Sequence, residues 1–383
     1  MPRPDNRPLY RLPTLAARQD TLEKCVFCPK LCRSACPVSN AEPRETLTPW
    51  GKMSSAYFAA RGDVPLTESF ARPAWACTGC FACRGACDHE NDVAGTLLET
   101  RSALVDAKLG PEGAHRTIAR FGAHQQATQR GVDALRMHEG VRADARDALL
   151  IGCGYVRNAP IEAGHAIDAA SALVRGPVSL VDACCGLPLL LAGDARGFKR
   201  QAEVFAAAVK KAERVLVVDA GCGLALKTRY AQNGVTLDPK IELVVERAAA
   251  ELSSLSGVSD MTGPVRWHDP CQLGRGLGVY EAPRAVLTRL LGRAPEEFDT
   301  RRERGTCSGG GGLLPVTMPE TARTIAETRL AEHARAGAGR VVTACASSLR
   351  SLRKADPQRQ VDDLVTWIAG GARARARGWS GKG

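Results

Sequence analysis

Eight of the fifteen cysteines in this 383-residue chain fall into two dense groups whose spacing belongs to metal chemistry. Cys77-x2-Cys80-x2-Cys83-x3-Cys87 has the spacing of a bacterial 4Fe–4S site, in which three thiolates on one tight loop reach three corners of a cube and the fourth points away to a second cluster. Cys25-x2-Cys28-x3-Cys32-x3-Cys36 forms the partner group, with one extra residue in its middle gap. Pro37 follows its last cysteine in the usual way, whereas Asp88 occupies that place in the other group. Exchange of the fourth ligands assigns Cys25, Cys28, Cys32 and Cys87 to one cluster and Cys77, Cys80, Cys83 and Cys36 to the other. Such crossing would staple two distant segments together. Zinc is the competing use of eight thiolates, but it does not require this spacing. Neither group offers a histidine at ligand spacing, and His89, two residues past Cys87, reads as a surface or supporting residue.

The elements that must position these loops are helical. Residues 1–20 read as a flexible or surface-wrapping arm rich in Pro and Arg. Residues 21–145 read as helices around the cysteine loops, with Leu97, Leu98, Leu104 and Val105 on helical spacing. The roughly forty residues between the groups exceed what a compact βαββαβ ferredoxin needs, which favours an all-helical ferredoxin-like domain holding two 4Fe–4S clusters.

Past Asp144 the pattern changes to short apolar strands alternating with longer helices: an α/β layer with mainly parallel strands. The expected strands are Ala148–Cys153, Val178–Ala183, Val215–Asp219, Val265–His268 and Arg340–Ala344. Expected helices include Phe198–Ala212, Glu281–Leu291 and Glu320–Ala334. The remaining seven cysteines recur at an offset of about 120 residues: Cys153 with Cys271, Cys184-Cys185-Gly186 with Cys307-Ser308-Gly309, and Cys222 with Cys345. This is the signature of one α/β unit present twice, over 146–258 and 259–370, followed by a basic tail at 371–383 with Arg373, Arg375 and Arg377. Both units place their cysteines at carboxyl ends of strands, where α/β folds build sites. In the first unit two readings stay open: a third cluster on Cys153, Cys184, Cys185 and Cys222, since four thiolates suffice for a cubane, or buried small apolar residues. In the second unit the buried-thiol reading is favoured. His268-Asp269 reads as a proton relay or, more ordinarily, as a loop or helix-cap fixture. Gly309–Gly312 lacks the Gly-Lys-Ser/Thr ending of a phosphate loop and reads as a tight turn beside Cys307.

Composition limits the alternatives. The net charge of +11 is spread along the chain, and no reader module accompanies it, so nucleic acid is not expected as the partner. No apolar run approaches the roughly 18 residues of a membrane span, and the first residues lead into no signal-peptide core. The cysteines are therefore expected as reduced thiolates in the cytoplasm. Gly274-Arg275-Gly276-Leu277-Gly278 is wrongly spaced for a dinucleotide fingerprint, so a flavin or nicotinamide is expected on a partner rather than on this chain.

Taken together, the two cluster motifs, Cys184-Cys185-Gly186, His268-Asp269-Pro270-Cys271 and Cys307-Ser308-Gly309-Gly310 resemble the iron–sulfur subunits of glycolate oxidase and anaerobic glycerol-3-phosphate dehydrogenase, and heterodisulfide reductase-related proteins with paired cysteine-rich CCG domains. The resemblance spans Cys25 to Ser348. It implies an electron-transfer subunit of an oxidoreductase, not an enzyme alone, fed by a flavoprotein dehydrogenase or other donor and discharging to a quinone or ferredoxin. Any membrane contact would be peripheral, at the inner face, through a partner. In the full heterodisulfide reductase pattern, cysteines stand where this chain has Asp219, Ser308 and Ser348, and a serine hydroxyl is a poor substitute for a soft thiolate. A catalytic, heterodisulfide-reductase-like subunit with a third cluster in the first unit is the alternative, and a redox-sensing cluster protein a third. Lys52 and the many arginines are expected to raise cluster potentials by stabilising the reduced, more negative state.

Overall fold

The structure, a computed structural model, describes residues 11–257, 263–356, 358 and 360–376. The chain forms two compact units. The first comprises residues 1–119 with two later segments, 188–195 and 309–325; the second comprises 120–187, 196–308 and 326–383.

Within the described residues the first unit is built from helices. Its core gathers Leu15, Leu22, Met53, Tyr57, Trp75, Leu97 and Leu104. The local signals are ordinary ones. Thr48 caps the helix Pro49–Arg61 by accepting from the Gly51 amide, Pro49 occupies the first turn, and Gly62 closes the helix at φ 78°. Asp92 caps Val93–Asp106 in the same manner through the Gly95 amide. The arm expected over residues 1–20 is packed in its described part: a short 3₁₀ helix, Pro13–Arg18, drives Leu12 and Leu15 into the core. Residues 1–10 lie outside the described residues, as does Arg377 of the expected basic tail. That tail begins as helix, since Leu364–Ala376 runs through it with Gly371 and Ala372 buried.

The second unit contains two four-stranded parallel sheets of one topology. The first consists of β1 (Asp147–Leu150), β2 (Ser179–Leu180), β3 (Arg214–Val217) and β4 (Lys240–Leu243) in the order β2-β1-β3-β4. The second consists of β5 (Val265–Trp267), β6 (Glu296–Glu297), β7 (Arg340–Thr343) and β8 (Val361–Asp363) in the order β6-β5-β7-β8. Register repeats as well: Leu150 pairs with Val217 in the first sheet and Trp267 with Val342 in the second. Strand order reverses between β1 and β3, and again between β5 and β7, the switch points at which open α/β sheets place their sites. The five expected strands are all present within a few residues. The three that apolar patterning does not reveal, β4, β6 and β8, are edge strands reading Lys-Ile-Glu-Leu, Glu-Glu and Val-Asp-Asp. Charge on an edge strand discourages pairing with other chains and erases the apolar signal.

Candidate iron–sulfur sites

The two cysteine loops share a backbone device. Lys30 and Phe81 each stand two residues before the third cysteine of their motif, and both hold left-handed conformations, φ 68° and 60°. In each loop a short helical turn follows, Leu31–Ala35 or Ala82–Gly85, and carries Cys32 or Cys83. A non-glycine residue at positive φ is uncommon and costs of order 1 kcal/mol, so its occurrence at the same place in both motifs marks an imposed geometry. The extra residue of the first motif, Pro29, lies just before this bend and leaves it intact.

Around the first loop, Cys25 has Cys28, Cys32 and Cys87 as its electrostatic neighbours. Asn91 Nδ2 donates to Cys25 Sγ at 2.9 Å and to the Thr21 carbonyl at 2.8 Å. The Lys30 amide donates to Cys28 Sγ at 3.2 Å. Around the second loop, Cys36 lines one cavity with Cys77, Cys80 and Cys83. Lys52 Nζ, 2 % exposed, donates to Cys36 Sγ at 3.2 Å, and the Gly79 amide to Cys77 Sγ at 3.4 Å. Burial opposes the Lys52 charge, yet Cys36 and Cys77 more than offset it and hold the ammonium above its usual pKa. Burial also pushes Cys25 up to about 12 and Cys32 up to about 11. Two pockets of crowded, desolvated thiols are a poor arrangement for free cysteine and a good one for thiolates whose charge is met by iron. The donor set therefore fits 4Fe–4S clusters. His89 is exposed and Cys87 half-buried.

Sequence reasoning does not single out Arg101. Its guanidinium, 1 % exposed, donates to four backbone carbonyls: Ala74 at 2.8 Å, Cys77 at 2.8 Å, Leu191 at 2.9 Å and Gly312 at 3.0 Å. The second cluster loop is thereby tied to the two late segments of the first unit. The available signal is that Arg101 lies four residues after Leu97 and three before Leu104, on the buried helix face. The glycine run also has its use here. A Cβ on Gly312 would lie 2.0 Å from the Cys77 carbonyl oxygen, and one on Gly311 2.5 Å from that of Thr78. The run lets backbone lie against the second cysteine loop, which goes beyond the expected turn beside Cys307.

In the first α/β repeat, Cys153 follows β1, Cys184 and Cys185 follow β2, and Cys222 follows β3. Cys185 Sγ lies 3.4 Å from Cys222 Sγ, while Cys184 contacts both Cys153 and Cys185. The four sulfurs thus form one chain at the switch point. Contact with Cys184 and burial raise the Cys153 thiol well above its usual value; Cys185 lowers the Cys222 thiol, but burial still carries it up to about 12. His124 joins this group: its ligand nitrogen and the sulfurs of Cys153 and Cys184 lie within 4.8 Å of one another. Burial and Arg157 lower its pKa to about 4. His124 precedes the repeat by some twenty residues, and nothing in its sequence surroundings marks it.

The second repeat is built differently. Ser308 Oγ and Ser348 Oγ are buried and hydrogen-bonded to each other at 3.0 Å, and Ser351 Oγ donates to the Ser308 carbonyl at 2.8 Å. Cys307 and Cys345 are buried and Cys271 is half-buried. Asp269 is a loop anchor: it accepts from Trp267 Nε1, from both terminal nitrogens of Arg284 and from the Arg302 amide, all within 2.8–2.9 Å. His268 accepts at Nδ1 from Arg329 Nε at 3.2 Å, and burial with Arg329 lowers its pKa to about 3. Asp219, at the position where the full pattern has cysteine, crosses to this repeat and accepts from the Ala346 amide at 3.0 Å, at the start of the helix Ala346–Ala355. Tyr155 crosses likewise, donating to Asp363 Oδ2 at 2.6 Å. The two switch points face one another; of the residues that stand where the full pattern has cysteine, Asp219 serves this contact, whereas Ser308 and Ser348 bond to each other within the second repeat.

Comparison with known proteins agrees with this division. A 4Fe–4S dicluster domain family matches residues 21–91, and a cysteine-rich domain family matches twice, over 148–227 and 265–353. A subunit of the CoM/CoB fumarate reductase of Methanothermobacter marburgensis is 28% identical over 345 residues, 85% of this chain and 67% of that protein. A subunit of the dihydromethanophenazine:CoB–CoM heterodisulfide reductase of Methanosarcina mazei is 24% identical over 375 residues, 90% of this chain and 91% of that protein. A "probable membrane-anchored ferredoxin" of Chromohalobacter salexigens is 43% identical over 81 residues, 21% of this chain and 12% of that protein. Among the described residues no helix is long and apolar enough to cross a membrane. The chain is thus an iron–sulfur protein that joins a 4Fe–4S dicluster domain to two cysteine-rich CCG domains, and it is homologous to these heterodisulfide reductase and fumarate reductase subunits.

Proposed function

We propose that the chain is the electron-transfer subunit of a multi-subunit oxidoreductase. Cys25, Cys28, Cys32 and Cys87 hold one 4Fe–4S cluster, and Cys36, Cys77, Cys80 and Cys83 the other. The observation that carries this is the convergence of Cys36 with the second loop and of Cys87 with the first. When bound, such clusters take up and release one electron at a time. The protein's own part is to exclude water with a buried core and to aim Asn91, Lys52 and the Lys30 and Gly79 amides at the sulfurs, where they favour the reduced form. A flavoprotein partner supplies the electrons and a quinone or ferredoxin receives them, at the cytoplasmic side and peripheral to the membrane through a partner. Along the sequence the domains are the helical region 21–145 and the repeats 146–258 and 259–370, with residues 120–145 belonging to the same compact unit as the repeats. Iron and acid-labile sulfide per chain, with EPR of the reduced anaerobic protein, test the reading: about eight of each with two interacting 4Fe–4S signals is the expected minimum, and zinc without sulfide sinks it.

A second reading is favoured by the chain of sulfurs in the first repeat. Cys153, Cys184, Cys185 and Cys222 hold a third cluster, and about twelve iron atoms per chain are expected. If that cluster performs disulfide chemistry, substitution of Cys185 abolishes reduction of a disulfide substrate while the two N-terminal signals persist; turnover that survives the substitution removes the catalytic assignment.

A further inference from the structure

His124 sits on the helix Phe121–Leu135, outside the repeat whose sulfurs it approaches. That helix is fastened to the Cys184 loop by the residue next to it. Gln125 Oε1 accepts from the Cys184 amide at 3.0 Å, and Gln125 Nε2 donates to the Asp182 carbonyl at 2.9 Å. A further close approach fixes the helix from the other side, where a Cβ on Gly131 would lie 2.4 Å from Val156 Cγ1. The imidazole is therefore placed, with Phe121 stacked on it at 5.8 Å between ring centroids.

The proton on that imidazole follows from its neighbours. Arg157 Nη1 lies 2.5 Å from His124 Nδ1. A guanidinium has donors and no acceptor, so Nδ1 must offer its lone pair and the neutral ring carries its proton on Nε2. Nε2 lies 4.0 Å from Cys184 Sγ. A nitrogen that carries a proton cannot ligate a metal, but it can donate to a thiolate. Cys153, Cys184 and His124 look at first like a three-ligand metal site; the Arg157 contact reverses the role of the histidine.

We propose that His124 is a positioning residue for the first repeat: it donates Nε2–H to the sulfur of Cys184, favouring the reduced state of a cluster bound there, and Arg157 holds it in the tautomer that can do so. This rests on the reading that Cys153, Cys184, Cys185 and Cys222 bind a cluster.

The test uses the full chain, loaded anaerobically with iron and sulfide, in four forms: wild type, H124L, H124Q and R157L. EPR-monitored redox titration follows the third centre, and pulsed EPR with ¹⁵N-labelled histidine looks for nitrogen bonded to iron. In H124L the reduced-to-oxidised ratio of the third centre at fixed potential should fall about tenfold, which is about 59 mV for one electron. H124Q keeps an amide N–H and should recover most of that loss, whereas R157L frees the tautomer and should fall toward H124L. The two N-terminal centres should not move. An unchanged third potential in H124L overturns the proposal, as does strong nitrogen coupling in the wild type, which would make His124 a ligand. If H124L loses the centre, H124Q decides: retention near the native potential supports the proposal and loss in both overturns it. Eight iron atoms in the wild type would remove the third-cluster reading itself, and the proposal with it; twelve iron atoms with an unmoved potential would remove only the proposal.

Discussion

Replacing Lys52 by methionine removes a buried positive charge and keeps most of the side chain's volume. The ammonium lies 3.2 Å from Cys36 Sγ, and the side chain is 2 % exposed. An electron entering a cluster on Cys36 would spread over the cube, with its centre roughly 6 Å from Nζ; at an effective dielectric of about 20, Coulomb's law gives about 3 kcal/mol. With 59 mV per tenfold change for one electron, that is about 120 mV. Relaxation around the new side chain reduces the effect, so a fall of about 50–120 mV in one midpoint potential is expected. The cluster on the first loop is farther away and should move by less than half as much. The assay is an EPR-monitored redox titration of the anaerobically purified full chain, with iron and sulfide counted in both proteins. K52R, which keeps the charge, should stay near wild type. Equal shifts of both clusters, or none at unchanged iron content, would refute the electrostatic reasoning and leave Lys52 as a packing residue.

Four other perturbations follow from the geometry. G312A should lose the second cluster or destabilise the protein by at least ~2 kcal/mol in denaturant unfolding, because the added Cβ meets the Cys77 carbonyl oxygen 2.0 Å away at a residue with φ +64°. R101A takes the donor from four carbonyls, two of them in buried bonds, and should cost about 3 kcal/mol, with iron content falling; R101K should recover only part. Burial pushes the Asp363 carboxyl up to about 7 against the Tyr155 hydrogen bond that lowers it. Its native form therefore holds a proton that the unfolded chain releases near pH 4, so stability should fall as pH rises from about 4 to 7, by something of order 4 kcal/mol at most, and D363N should flatten that slope in chemical denaturation at a series of pH values. D219A uncaps the helix Ala346–Ala355 and should cost about 1 kcal/mol while leaving the two N-terminal EPR signals in place.

The cluster loops were legible in the sequence because cubane ligation needs fixed spacing, and the α/β duplication because parallel strands and strand-end cysteines recur at one offset. The edge strands β4, β6 and β8 were not legible, since segments such as Glu296–Glu297 and Val361–Asp363 carry charge where a central strand carries Val or Leu. Cys185 and Cys222 could be grouped from their places after strands, but the fate of the missing cysteines could not be read. Only the structure shows Ser308 bonded to Ser348 and Asp219 capping a helix of the other repeat. His124 and Arg101 act through tertiary contacts with residues far away in the chain, and local pattern cannot supply those.

Arg101 has a consequence for how this protein comes into being. The carbonyls its guanidinium holds belong to residues 74, 77, 191 and 312. A ribosome that has made the last of the eight N-terminal cysteines has still to make more than two hundred residues before Gly312 emerges. Until then the guanidinium lacks at least one of its four acceptors, and the face that Gly311 and Gly312 cover stands open. The cluster-bearing part is therefore synthesised well ahead of the segments that close it. A gene cut after residue 145 would yield a fragment with every cysteine of that part and no means of sealing it.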